Sequence, residues 1–183
     1  MLNAENSSSW AGEQKQVRQS MVERGGKPGV VASDQLVGLS GRQVLQAMMA
    51  GTLPHPHINQ TLDFDLMAVG DGHAVFQGVP NIRYYNPMGT LHGGWYSTLL
   101  DSALGCAVHS KLPAGRGYTT AELSINIVRP ATHKTGPLRA IANVMHAGRQ
   151  TATAEARILD EEGRLYAHAT TTCFLFDIQA ATR

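Results

Sequence analysis

The sequence predicts an α+β fold in which a curved antiparallel sheet wraps around one long central helix. The order of elements is a helix, two strands, one long helix and four more strands. Short turns join most of the strands, and such turns imply antiparallel neighbours. The helix predicted over residues 95–108 is the only substantial element available to cover the apolar face of the sheet.

The chain divides into an N-terminal extension, residues 1–36, and one domain, residues 37–183. The extension is polar, mixed in charge and without sustained periodicity, so we expect it to be partly disordered or loosely packed. In the domain, Ser40 is a predicted N-cap, and the apolar residues that follow it at helical spacing end at Gly51.

Alternating apolar and polar residues predict the strands. The first strand begins near Leu62, and Asp63 and Asp65 fall on the face that we expect to be solvated. The turn at 70–72 predicts a hairpin to the second strand. After the long helix, the same pattern predicts four strands in meander order, over about residues 123–127, 138–144, 152–158 and 165–176.

Composition excludes several classes of function. The chain has 183 residues, with 15 basic and 14 acidic ones, so we expect no nucleic-acid partner. No apolar run approaches the roughly 18 residues of a membrane span, so we expect no membrane partner and a cytoplasmic location. The two cysteines, Cys106 and Cys173, lie far apart in apolar surroundings, and we expect both to be buried free thiols.

A glycine pair at the start of the long helix carries the strongest functional signal. Gly93 and Gly94 follow His92, where unpaired backbone N–H groups and the positive end of the helix dipole collect. Asp101 lies two turns further along an otherwise apolar helix, where an unpaired carboxylate is costly. It is either a structural group satisfied by capping a loop or a catalytic group, and we favour the catalytic role. Donors for an oxyanion, together with a carboxylate that attacks or activates water, are sufficient for acyl-group hydrolysis.

The spacing of Gly93 and Asp101 predicts a site shared between two subunits. Eight residues of helix correspond to about 12 Å of rise, whereas the donor and the attacking group must each lie about 3 Å from one carbonyl. Two antiparallel helices related by a two-fold axis would bring Gly93 of one subunit close to Asp101 of the other. We therefore expect at least a homodimer.

Histidines allow two alternative interpretations. His92 is a possible general base, but no G-x-S-x-G elbow supplies a serine for it, and we favour a role in organising the loop that contains Asn86. His55 and His57 would share a strand face and could bind zinc with another histidine. Because no H-E-x-x-H or C-x-x-C pattern accompanies them, we expect no metal.

Several motifs together resemble those of the hotdog-fold acyl-CoA thioesterases, and most of all the phenylacetic-acid-degradation branch of that family. Asn86 lies six residues before His92, and Asp101 lies nine residues after it. The similarity covers about residues 60–177. The motifs that carry it are Asn86-Pro87, His92-Gly93-Gly94, Asp101, Thr119-Thr120-Ala121-Glu122-Leu123 and Arg129-Pro130.

The resemblance implies the catalytic roles. Asp101 would be the nucleophile or general base, and the backbone N–H of Gly93 would polarise the thioester carbonyl. Asn86 and His92 would flank that site. The resemblance also implies an active site between subunits, and it suggests that two such dimers form a tetramer.

The resemblance implies a water-positioning hydroxyl and a coenzyme A substrate. Thr119 matches the hydroxyl, and Thr120 beside it is the alternative. Gly94 and Thr120 are further candidates for substrate contacts. Arg129 and Arg149 are candidates for the phosphates, with Arg116 as a further one, because guanidinium groups bind phosphate in a bidentate manner. We expect no cofactor apart from the coenzyme A of the substrate.

Two other functions remain open. The first is a dehydratase or hydratase acting on 3-hydroxyacyl thioesters, which would require a different histidine-containing loop. The second is a non-catalytic acyl-CoA-binding domain, for which loss of the carboxylate would be typical, whereas Asp101 is present. The sequence does not decide between aromatic and medium-chain acyl groups.

Overall fold

The computed structural model describes residues 9–178. Five α-helices and six β-strands are present in that range, with a short 3-10 helix at Ile82–Tyr84. The helices are α1 Trp10–Glu23, α2 Ser33–Val37, α3 Gly41–Met49, α4 His57–Leu62 and α5 Gly93–Ser110. The strands are β1 Phe64–Gly70, β2 His73–Gly78, β3 Arg116–Ile127, β4 Leu138–Ala147, β5 Thr151–Leu159 and β6 Leu165–Asp177.

The six strands form one antiparallel sheet that wraps around α5, and the predicted fold class is confirmed. The order across the sheet is β1-β2-β4-β5-β6-β3, and α5 contacts all six strands. The expected meander holds for β4, β5 and β6. It is wrong for β3, which crosses to the far edge and pairs with β6 because a ten-residue connection, residues 128–137, separates it from β4.

Small side chains allow α5 to lie close to the sheet. The face of the sheet beneath α5 is rich in buried alanines, including Ala140, Ala142, Ala154 and Ala156. Gly105 of α5 faces Tyr118 of β3, where an added Cβ would come within 2.6 Å of the tyrosine hydroxyl oxygen. These small residues let the helix lie close against the concave side of the sheet.

Local sequence signals predict the ends of α3 correctly. The side chain of Ser40 accepts a hydrogen bond from the Gln43 N–H, and the Gln43 side chain accepts one from the Ser40 N–H, which is a capping box. Gly51 follows α3 with a positive φ of 74°. The first strand begins two residues later than expected, because Leu62 ends α4 and Asp63 adopts a left-handed conformation.

The extension contains a helix that the sequence analysis does not predict. Residues 1–8 of the segment expected to be partly disordered or loosely packed lie outside the described residues, whereas residues 10–23 form α1. Its residue Gln14 is 4% exposed, and its side-chain amide donates hydrogen bonds to Asp65 Oδ2 at 2.6 Å and to the Gln77 carbonyl oxygen at 3.2 Å. The boundary between extension and domain at residue 36 stays a prediction.

Asp65 is buried, so the expectation that it lies on a solvated face is wrong. Only 8% of the residue is exposed, and its carboxylate accepts hydrogen bonds from Gln14 and from Arg18 Nε at 2.6 Å. Arg18 also forms an ion pair of 2.7 Å with Asp63. Burial raises the pKa of the Asp65 carboxyl, and the bonds from Gln14 and Arg18 oppose that rise. The face of β1 that carries Asp65 can be polar although it is buried, because Gln14 and Arg18 of α1 bind this carboxylate.

Candidate active site

The start of α5 presents backbone donors that are suited to a negative charge. His92 is the N-cap, and its ring Nδ1 accepts a hydrogen bond of 2.8 Å from the Gly94 N–H. Gly93 is the first helical residue, so its own N–H has no carbonyl oxygen four residues earlier within the helix. This N–H lies at the positive end of the helix dipole, where it can donate to an oxyanion.

The loop before α5 is organised by Asn86. Its side-chain oxygen accepts hydrogen bonds from the Met88 N–H at 2.9 Å and the Thr90 N–H at 3.2 Å. Its side-chain nitrogen donates to the Thr90 hydroxyl at 2.9 Å. The ring of His92 contacts Gly94 instead, which corrects the expectation that His92 organises this loop. Thr90 is a residue of this site that the motifs do not indicate, although an Asn side chain that bonds the backbone a few residues on is typical of such a turn.

An open cleft beside the start of α5 brings together three of the predicted residues, Asn86, Gly93 and Arg129. Ile127, the last residue of β3, also lines this cleft and is 46% exposed. Arg129 is exposed, and its Nε donates to the Leu165 carbonyl oxygen at 3.3 Å. The cleft therefore combines a donor for an oxyanion with a cation that can reach an anionic group.

Asp101 lies further along α5 and contacts β3. The Thr120 hydroxyl donates a hydrogen bond of 2.9 Å to Asp101 Oδ1. Successive residues of a strand point to opposite faces, so Thr119 points away from α5, and it is exposed. The geometry thus favours Thr120 over Thr119 as the hydroxyl that accompanies the carboxylate.

Two neutral side chains, Cys106 and Tyr118, lie close enough to Asp101 to be affected by its charge. Burial raises the pKa of Cys106 to about 12, and the Asp101 charge adds to that effect. Burial also raises the pKa of the Tyr118 hydroxyl well above its ordinary value. Both groups are protonated at neutral pH, so neither is a candidate nucleophile.

The hydroxyl groups of α5 are engaged by the helix backbone. Ser97 donates to the Gly93 carbonyl oxygen at 2.9 Å, and Ser102 donates to the Thr98 carbonyl oxygen at 2.8 Å. Neither serine contacts a histidine. This arrangement agrees with the absence of a nucleophile elbow in the sequence.

Two other predicted site residues, Arg149 and Gly94, do not line the cleft that contains Gly93 of the same chain. Arg149 is exposed in the hairpin between β4 and β5, where its carbonyl oxygen accepts a bond from Arg116 at the first position of β3. It therefore lies at the opposite end of β3 from Ile127 and the Gly93 cleft. Gly94 lines a different cleft, together with His92.

His55 and His57 do not share a strand face. His55 forms a backbone bridge to Pro28, and His57 begins α4. In residues 9–178, no group of three or more histidine, cysteine, aspartate and glutamate side chains is arranged to hold a metal ion. The zinc interpretation has no geometric support at these two histidines.

Comparison with known proteins agrees with the resemblance noted in the sequence. Residues 88–167 match the family model described as the thioesterase superfamily, and this range contains Gly93, Asp101 and Thr120. The chain is 27% identical over 108 residues to a 1,4-dihydroxy-2-naphthoyl-CoA hydrolase of Listeria monocytogenes, covering 59% of this chain and 86% of the relative. It is 37% identical over 73 residues to a putative esterase of Halobacterium salinarum, covering 39% of this chain and 46% of the relative.

Solved structures share the fold. A putative thioesterase of Ralstonia eutropha, described as related to phenylacetic acid degradation, is 29% identical with a TM-score of 0.65, covering 71% of this chain and 98% of that one. The PaaI protein of E. coli, from the phenylacetic acid degradation operon, has a TM-score of 0.65 at 23% identity, covering 79% and 98%, and it shows the fold alone. The fold of the chain is therefore the hotdog fold of these thioesterase neighbours, and the candidate site lies within the range that matches the thioesterase superfamily model.

Within residues 9–178, no helix is both long and apolar enough to cross a membrane.

Proposed function

We propose that this protein is an acyl-CoA thioesterase that hydrolyses a thioester to a carboxylic acid and coenzyme A. One observation carries the proposal: a single helix presents an unpaired Gly93 N–H at its start and the Asp101 carboxylate, with the Thr120 hydroxyl on it, two turns later. These are the oxyanion donor and the attacking or activating group that acyl transfer needs.

The active site lies between two subunits. Gly93 and Asp101 are eight residues apart on one continuous helix, which separates them by about 12 Å of rise. The Gly93 of one subunit therefore works with the Asp101 and Thr120 of its partner. Association of two such dimers into a tetramer stays a prediction.

The long edge strand β3 supports this dimer. It spans twelve residues, and no strand of residues 9–178 pairs with its outer side. By contrast, α1, α3 and α4 all contact β1, the opposite edge strand. A long unpaired edge invites pairing with another chain. Two copies joined along β3 would place two α5 helices side by side.

The chemistry follows either of two balanced routes. As a general base, Asp101 takes a proton from water, hydroxide adds to the carbonyl carbon, and the sulfur leaves as coenzyme A after the proton is transferred to it. As a nucleophile, Asp101 forms an anhydride with the acyl group and releases coenzyme A, and water then hydrolyses the anhydride. In both routes the Gly93 N–H stabilises the oxyanion, and Thr120 holds Asp101 in position.

Arginines supply contacts for the phosphates of coenzyme A. Arg129 lies in the cleft of Gly93 and is the stronger candidate. Arg149 lies at the far end of the sheet in the same subunit, so it could act only at a site that the dimer forms. Cys106 and Cys173 are both unpaired, which supports the expectation of a reducing compartment such as the cytoplasm.

Release of free thiol from a panel of aryl and linear alkyl acyl-CoAs tests the proposal. We expect hydrolysis by the wild-type protein and a loss of at least about a hundredfold in kcat for Asp101→Asn. Asp71→Asn is the matched control, because Asp71 is exposed and forms an ion pair with Lys111 outside the site. Full activity in a folded Asp101→Asn protein, or no hydrolysis of any substrate by wild type, would contradict the proposal.

A further inference from the structure

A second cavity lies beneath α1, separate from the candidate active site. Its walls come from α1, α3, α5 and the sheet, and its volume is about 50 Å³. None of the residues proposed for catalysis lines it. Its apolar wall includes Met21, Met48, Met49, Leu66, Phe76 and Cys106. Methionine side chains are flexible and polarisable, so such a wall can adjust to a ligand.

The cavity opens through a polar mouth. His55, Asn59 and Asp65 line both the cavity and an adjoining surface cleft, so the two spaces share a wall. Arg18 and Asp63 line only the outer part. A largely apolar chamber with a few convergent polar groups is the usual form of a small-molecule site.

His55 supplies a polar atom that the protein leaves without a partner. Its Nδ1 is buried and has no hydrogen-bond partner among residues 9–178. The backbone on either side is fixed, because the His55 N–H donates to the Lys27 carbonyl oxygen and the His55 carbonyl oxygen accepts from the Gly29 N–H. Burial lowers the pKa of this imidazole, which favours its neutral form. A buried polar atom without a partner requires an explanation, and a ligand provides one.

The charges at the mouth balance one another. Arg18 pairs with Asp63 at 2.7 Å and with Asp65 at 2.6 Å, and Arg83 lies 3.6 Å from Asp63. Two carboxylates and two guanidinium groups leave no net charge to attract an ionic ligand. An uncharged head group that can hydrogen-bond to imidazole fits this mouth better than a carboxylate or an amine.

We propose that this cavity binds a linear alkyl chain with an uncharged hydroxyl head, which pairs with His55 Nδ1 while the chain lies among the methionines. The cavity is about a third of the roughly 150 Å³ that holds benzene in an engineered protein cavity, so it accepts only a short chain, and the flexible methionine wall adjusts as the chain lengthens. The site is independent of thioester hydrolysis.

Methyl NMR of the full-length protein, labelled at its methionines and titrated with 1-butanol, tests the location. We expect shifts at Met21, Met48 and Met49, and none at Met88 or Met145, which are exposed elsewhere. Affinity across the series from ethanol to 1-butanol should rise about fourfold for each methylene, as expected for burial of the chain. Unchanged resonances at the three lining methionines, or equal shifts at all methionines, would overturn the proposal.

A second experiment tests the head group. His55→Leu should weaken binding of 1-butanol about fivefold, the usual effect of one lost hydrogen bond, and should leave binding of 1-chlorobutane within twofold. His57→Leu is the matched control, because His57 is exposed and begins α4. Thermal unfolding verifies that each variant is folded. Equal effects of His55→Leu on both ligands, or no effect on either, would show that His55 does not bind the hydroxyl.

Discussion

The Thr120 hydroxyl donates a hydrogen bond of 2.9 Å to Asp101 Oδ1, and this contact joins the central helix to the edge strand of the sheet. A register irregularity between Thr120 and Glu122 follows immediately on β3. Such a bulge redirects the side chains of a strand, and bulges often occur next to active sites. The contact fixes the orientation of the Asp101 carboxylate relative to the sheet.

Thr120→Val should lower the kcat of thioester hydrolysis by about ten- to a hundredfold, with a smaller change in KM. Valine has nearly the same shape and removes only the hydroxyl that orients Asp101, an effect felt mainly in the transition state. Thr119→Val is the matched control, since Thr119 is exposed on the opposite face. Steady-state kinetics on both variants check this prediction. A loss in Thr119→Val alone would return the assignment to Thr119.

His92→Asn should keep kcat within a few-fold of wild type, whereas His92→Ala should lower the free energy of unfolding by about 1 kcal/mol. The reason is that the His92 ring caps α5 through the Gly94 N–H, and asparagine caps a helix as well. Urea unfolding and steady-state kinetics measure the two effects. A hundredfold loss of kcat in a stable His92→Asn protein would instead make His92 a general base.

The elements that the sequence predicts well have local signals. The capping box at Ser40 and the alternating pattern of β5 are each contained within a few residues, and both appear in the structure. The placement of β3 beside β6 depends on contacts between segments far apart in sequence, so the expected meander order is wrong there. For the same reason, the sequence leaves the choice between Thr119 and Thr120 open.

The helix α1 shows why a polar sequence can conceal a packed element. Its buried residue is Gln14, an amide, and a hydrogen bond from Gln14 and an ion pair from Arg18 join it to Asp65 of β1. Such a helix has no clear hydrophobic periodicity by which it could be predicted from the sequence. The local alternation around Asp65 predicts a solvated face, because the partners that bury this residue, Gln14 and Arg18, lie 51 and 47 residues earlier in the chain.

Asp65 should make the free energy of unfolding depend on pH in an identifiable direction. Its folded-state pKa is raised above the ordinary 3.8, mainly by burial, so the folded chain binds this proton more tightly than the unfolded chain. The stability of wild type relative to Asp65→Asn should therefore be greatest near pH 4 and decrease as the pH rises through the folded-state pKa. Urea unfolding of both proteins between pH 4 and 7 measures the difference.

The control for this pH dependence is Asp34→Asn, because Asp34 is exposed on α2. Its stability difference from wild type should show no such decrease. A difference between wild type and Asp65→Asn that grows with pH would mean that the bonds from Gln14 and Arg18 outweigh burial and lower the folded-state pKa.

Two inactive variants should restore activity when their subunits are mixed. Gly93→Pro removes the backbone N–H that would bind the oxyanion. Proline is well accepted at the first helical position, and the extended backbone of His92 is compatible with a proline after it. Gly93→Ala is its control, because alanine keeps the N–H and its Cβ would meet only the Ile127 Cδ1 atom, at 3.4 Å. We expect Gly93→Pro to lose activity and Gly93→Ala to keep most of it.

Mixing Gly93→Pro with Asp101→Asn distinguishes a shared site from a site within one chain. If Gly93 of one subunit serves Asp101 of the other, each heterodimer has one site with both lesions and one with neither. Random exchange makes about half of the dimers heterodimers, so activity should approach roughly a quarter of wild type. Mass spectrometry of the intact dimers verifies the exchange. Verified heterodimers that stay inactive would contradict the shared site. Gly93 and Asp101 of one subunit would then have to act together, although about 12 Å of helix rise separates them.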